Sequence, residues 1–175
     1  MTEVADRAKP GVVHRFTWPA ALGGGLLLVA FSLVPWGVSD EGVRPSITGL
    51  GRVSVPGAGP EDVAFLEDHT LRPGLVTVVV GIVIAVAAAA AWWRPRVRWP
   101  ALIVIALASI VAMVAAVLTV ANPAAHLLDD QVNRALDLDT PLISPGYGLI
   151  GVVVVSIGIV GLMIAAAITR IGGSS

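Results

Sequence analysis

Charged residues withdraw from four long stretches of this chain and collect in the segments between them. Phe16 to Ser39, Pro73 to Trp93, Trp99 to Ala125 and Thr140 to Thr169 carry no charge at all. Each contains the roughly 20 apolar residues an α-helix needs to cross about 30 Å of hydrocarbon. None alternates polar and apolar residues as a membrane β-barrel strand would. The pattern predicts an all-α membrane protein, a bundle of four transmembrane helices with spans over 16–38, 73–93, 100–122 and 147–169. The connection at 94–99 is short, so consecutive spans should be antiparallel neighbours in a left-handed bundle. Tails cover 1–15 and 170–175.

The two longer connections, 39–72 and 123–146, have patterns of their own. In the first, Ile47, Val53 and Val55 are β-compatible, and Gly49 and Gly51 flank Leu50 as turn residues do. This predicts a short hairpin, which is marginal alone in water and needs a cover. Further on, Pro60 followed by Glu61 and Asp62 is helix-start chemistry, with Val63 and Leu66 on one face. In the second connection Leu128, Val132 and Ala135 fall at helical spacing among Asp129, Asp130, Asn133 and Asp137, which predicts an amphipathic helix over the bundle. Hairpin and helices together predict a small extracytoplasmic cap.

Composition supports the membrane reading. Of 175 residues 56% are hydrophobic and only 13% charged, with mean hydropathy +0.87, where soluble domains carry about 25% charge. Cysteine is absent, which excludes disulfides and thiolate chemistry. Arginine outnumbers lysine ten to one amid abundant Ala, Val and Gly, a usage typical of high-GC bacteria. Pro35-Trp36-Gly37 is not a small-x-small cleavage site, so the first run is expected to be retained.

The distribution of charge sets an orientation. Arg7, Lys9, Arg15, Arg94, Arg96, Arg98 and Arg170 fall on one side, while the two long connections hold ten of the twelve acids. Positive residues favour the cytoplasm, so both termini are expected inside a bacterial plasma membrane. Trp18, Trp92, Trp93 and Trp99 are then expected as anchors at the inner interface, and Trp36 and Tyr147 at the outer one. The arginine-rich connection suits anionic headgroups, although topology alone accounts for it.

Small residues recur every seven positions, as close helix packing in lipid requires. Gly74, Gly81 and Ala88 in the second span and Gly151, Gly158 and Ala165 in the fourth are the strongest candidates. Weaker stripes run through Gly23, Ala30 and Gly37, and through Ala101, Ala108 and Ala115. No ionisable residue lies deep in a span, which argues against a proton-coupled pump or a voltage sensor. Ser32, Thr77, Ser109, Thr119 and Ser156 are each able to bond their own helix carbonyls.

The candidates for chemistry thin out on inspection. Gly49 and Gly51 lack the third glycine and the βαβ context of a dinucleotide fingerprint. His69 and His126, near Asp68, Asp129 and Asp130, lack metal-ligand spacing. An enzyme would have to use His69, His126, Asp129 or Arg134 at the outer surface. No metal, cofactor, catalytic residue or nucleic-acid partner is expected. Candidate partner-contacting residues are Trp36, Ile47, Leu50, Arg52, Val53 and Val55, with Leu128 and Val132 of the second connection.

Four spans, a first outer loop of β character and Pro35-Trp36-Gly37 after the first span resemble the plan of claudin-type tetraspans, whose W-G-L-W motif and paired cysteines this chain lacks. The composition, with "VPWG" and "GLGRVSV", is similar to that of small actinobacterial four-helix membrane proteins. It resembles the lipid uptake coordinator B accessory subunits of mycobacterial Mce lipid transporters. The Trp-associated membrane proteins of actinobacteria are a second resemblance. The lipid uptake coordinator resemblance implies a non-catalytic subunit packed on permease helices, with lipids nearby. A stand-alone lipid-handling protein is the alternative.

Overall fold

The computed structural model describes residues 12–39, 44–127 and 143–172. The elements are α1 (Val12–Ser32), β1 (Pro35–Val38), β2 (Ser46–Thr48), β3 (Val53–Ser54), α2 (Pro60–Asp68), α3 (Gly74–Trp93), a 3-10 turn (Pro95–Val97), α4 (Arg98–Ala121), α5 (Pro123–Leu127), β4 (Ser144–Pro145) and α6 (Tyr147–Gly172). The long helices α1, α3, α4 and α6 form a ring in which each packs on two others, α1 on α3 and α6, α4 on α3 and α6.

Among the described residues, three segments are long and apolar enough to cross a membrane: Gly74–Trp93, Pro95–Ala121 and Tyr147–Thr169. In α1 the apolar stretch Phe16–Ser32 is shorter. The helix expected over 16–38 therefore stops early, and Pro35–Val38 is a strand. Proline removes a backbone donor and disfavours helical geometry in the residue before it. The last turn of α1 tightens instead, with Leu33 N–H donating to the Ala30 carbonyl at 3.1 Å.

The buried line of each helix advances in alternating steps of three and four. In α3 it runs Gly74, Thr77, Gly81, Ile84, Ala88 and Ala91. In α4 it runs Leu102, Ile105, Ser109, Ala112, Ala116 and Thr119. In α6 Leu149, Val152, Ser156, Ile159, Met163 and Ala166 follow the same rhythm, as do Trp18, Ala21, Gly25, Leu28 and Ser32 in α1. A mean step of about 3.5 is the period of left-handed helix packing.

Small residues let α1 and α3 approach closest. A Cβ on Gly25 would stand 2.6 Å from the Gly81 carbonyl oxygen, and one on Gly81 would stand 2.7 Å from that of Gly25. Gly74, Gly81 and Ala88 are all buried, Gly74 against the Gly49 backbone of the cap. In α6, Gly151 lies under the Phe31 ring, but Gly158 and Ala165 are exposed and a Cβ on Gly158 would meet nothing within 4 Å. Gly23 and Ala30 likewise lie off the α1 seam, where Gly24 and Gly25 make the contacts. A seven-residue spacing marks a straight line on a helix without saying which side it runs along.

Most interior hydroxyls are satisfied locally. Ser32 donates to the Leu28 carbonyl (3.0 Å), Ser109 to Ile105 (2.7 Å) and Thr119 to Ala115 (2.9 Å). The buried hydroxyls of Thr77 and Ser156 depart from this expectation and make no hydrogen bond among the described residues.

Candidate functional site

The cap is a four-stranded antiparallel sheet in the order β3-β2-β1-β4, seated at the end of the bundle where α1 ends and α6 begins. β2 and β3 form the expected hairpin, pairing Ile47 with Val53. Gly51, at φ +80°, makes the turn. Two strands come from outside it. β1 continues directly from α1, and β4, from the second connection, pairs with β1 through Gly37 and Pro145.

Trp36 is the centre of this junction. The β1–β2 register shifts between Pro35 and Gly37, so Trp36 is the extra residue of a bulge, a device that re-aims a side chain. Its indole is fully buried and donates from Nε1 to the Phe31 carbonyl at 2.9 Å. That bond satisfies one of the carbonyls left orphaned at the end of α1. Gly49 lies flat against the ring, where a Cβ would approach Trp36 Cε2 to 2.7 Å. Gly74 N–H then donates to the Gly49 carbonyl, and Gly146 N–H to the Trp36 carbonyl, both at 2.7 Å. Trp36 and Gly49 thus join the ends of α1, α3 and α6, the indole bonding α1 and the main chain bonding the start of the other two.

The residues expected to contact a partner take these places in the cap. Trp36, Ile47 and Val53 are buried in the core of the cap, with Val55 packed against them. This chain's own Leu66, Leu127 and Ile143 belong to the same packed core. Leu50 is half-buried, and only Arg52 of that set is exposed. Leu128 and Val132 lie outside the described residues, as do Asp129, Asp130 and Arg134. As membrane anchors, Trp18 and Trp36 fail because both are buried, whereas Trp92, Trp93, Trp99 and Tyr147 are more than half exposed.

The outer edge of the sheet is capped from within. α2 begins at Pro60 with Glu61 and Asp62 in its first turn, as expected. Its Glu67 carboxylate accepts the Val53 N–H of β3 at 3.1 Å. Thr70 Oγ1 donates to the Gly51 carbonyl at 3.1 Å, and Leu71 N–H donates to the Leu127 carbonyl, also at 3.1 Å. Arg72, which follows, is held at φ +41° immediately before Pro73.

No metal-binding group of three His, Cys, Asp or Glu side chains converges among the described residues. His69 stacks on Phe65 with ring centroids 4.4 Å apart and donates from Nδ1 to the Phe65 carbonyl. Phe65 and Leu71 are the exposed apolar side chains of this part of the cap, 60% and 53% accessible.

The chain matches no protein-family model, and no curated protein shows significant similarity to it.

Proposed function

We propose that this chain is a non-catalytic accessory subunit of a larger plasma-membrane assembly, of the lipid-transporter kind that its sequence resembles. The observation that carries the reading is how each helix divides its surface. One narrow seam faces the bundle, while large apolar side chains such as Val79, Val86, Leu107, Ile157 and Ile168 point outward, each 55% or more exposed. Such faces suit lipid or the helices of a partner equally well. The cap adds a rigid platform with Phe65 and Leu71 turned outward. In this reading α1 is a fourth span, both termini lie in the cytoplasm, and the cap stands outside.

A tagged chain extracted in mild detergent should bring a membrane-protein partner with it in fixed stoichiometry. A homogeneous monomer would overturn the accessory role. The absence of cysteine makes topology easy to test. In intact cells an impermeant maleimide should label Arg52→Cys and spare Arg96→Cys, and the reverse pattern would invert the orientation. The stand-alone lipid-handling reading is less favoured, because fully buried Leu28, Ile84, Ile105 and Leu149 fill the space an acyl chain would need between the described helices.

A further inference from the structure

At the end of the bundle opposite the cap, the chain turns from α3 into α4 through Arg94 and the 3-10 turn Pro95–Val97. Trp93, Arg94, Pro95, Arg96 and Val97 line a depression of about 480 Å³. Arg98 is already used, since its Nε donates to the Ala91 carbonyl at 3.2 Å and closes the end of α3. Arg94 and Arg96 are exposed and make no ion pair among the described residues. The acids described, Glu61, Asp62, Glu67 and Asp68, all belong to α2, beyond the far end of a helix of 20 residues, or about 30 Å. Two arginines therefore share a concave wall with an indole, and no described acid competes for them.

The depth of this depression is marked by its surroundings. Trp92, Trp93 and Trp99 are exposed at 52%, 81% and 55%, and tryptophan concentrates at the level of lipid headgroups. Outward from it lie the exposed apolar faces of α3 and α4, including Val86, Ile103 and Leu107. Guanidinium groups bind phosphate through paired N–H donors. We infer that the α3–α4 turn binds the phosphate headgroup of an anionic glycerophospholipid, with Arg94 and Arg96 on the phosphate, Trp93 as the wall, and the acyl chains along α3 and α4. The site stands whether or not the chain assembles with a partner.

The test uses the full chain in nanodiscs of phosphatidylcholine doped with phosphatidylglycerol, released into native mass spectrometry. The wild type should retain phosphatidylglycerol in preference to phosphatidylcholine. Each arginine near an anionic surface is worth roughly five-fold in binding, so Arg94→Gln with Arg96→Gln should weaken retention by about 25-fold. The charge-matched pair Arg52→Gln with Arg72→Gln, on the cap, should leave retention unchanged. Trp93→Ala keeps every charge and should still lower retention several-fold, which covers the case in which the double variant does not fold. Equal retention of the two lipids, or equal loss in the cap variants, would overturn the site. Inorganic phosphate that displaced the lipid completely would show a small-anion site instead.

Discussion

The approach of α1 to α3 at Gly25 and Gly81 gives the sharpest test of the bundle. Replacing either with alanine places a methyl 2.6–2.7 Å from a carbonyl oxygen of the opposing helix. Neither obstacle is a side-chain tip that could swing away, so the helices must separate by roughly 1 Å to reach ordinary contact. Overpacking of this kind costs about 1–3 kcal/mol, and the seam residues Leu28 and Ile84 on either side lose contact as well. Alanine recovers up to about 1 kcal/mol of helix propensity over glycine, so each single variant should be destabilised by about 1–2 kcal/mol. Once one methyl has moved the helices apart, the second finds space already made. The double variant should therefore cost clearly less than the sum, a coupling that neighbouring sites allow and distant sites do not. Gly23→Ala is the internal control, because a Cβ there meets nothing within 4 Å, and it should be neutral or stabilising. Reversible denaturation in mixed micelles, followed by helical circular dichroism, compares all of these variants with the wild type. Strict additivity, or a destabilising Gly23→Ala equal to the others, would refute the close approach.

Trp36→Phe keeps most of the ring but leaves the Phe31 carbonyl without its 2.9 Å donor, so a loss of about 1–3 kcal/mol is expected; a thermal melt in detergent unchanged from wild type would show that the bond is unimportant. Glu67→Ala frees the Val53 N–H, and hydrogen exchange at Val53 should accelerate, whereas Glu67→Gln retains an acceptor and should protect it. At Arg72, φ +41° is a conformation in which a β-branched side chain is strained. Arg72→Val should thus lower the melting temperature, by an amount corresponding to about 1–2 kcal/mol, and Arg72→Gly should hold or raise it; matching shifts would remove the argument.

The long helices α3, α4 and α6 were legible because an unbroken run of uncharged apolar residues suits a membrane-crossing helix and little else. α2 was legible from Pro60, Glu61 and Asp62, and the hairpin from glycines among β-branched residues. β1 was not, because Pro35, Trp36, Gly37 and Val38 prolong the apolar run of α1 and hydropathy does not distinguish the two. β4 comprises only Ser144 and Pro145, too short to carry any period. The inward face was hidden for a deeper reason. Water colours one side of a soluble helix polar, but here both sides of each helix are apolar, and only side-chain size separates them. That sufficed in α3, where Gly81 meets Gly25, and misled in α6, where Gly158 faces outward. The role of Trp36 was equally obscured, since a tryptophan beside an apolar run reads as an interface anchor until the bulge in β1 is known.

The pairing of β1 with β4 also fixes an order of events. Gly37 and Pro145 are partners across more than a hundred residues, so while the chain is being synthesised the first connection waits with one side of β1 unpaired. The clasp around Trp36 closes only when Gly146 follows, at the threshold of the final helix. A chain truncated before that point holds its hairpin and its first three long helices but has no way to finish the cap. The sheet is therefore complete once the chain has reached Gly146, just before the final helix Tyr147–Gly172 that must still pack on α1 and α4.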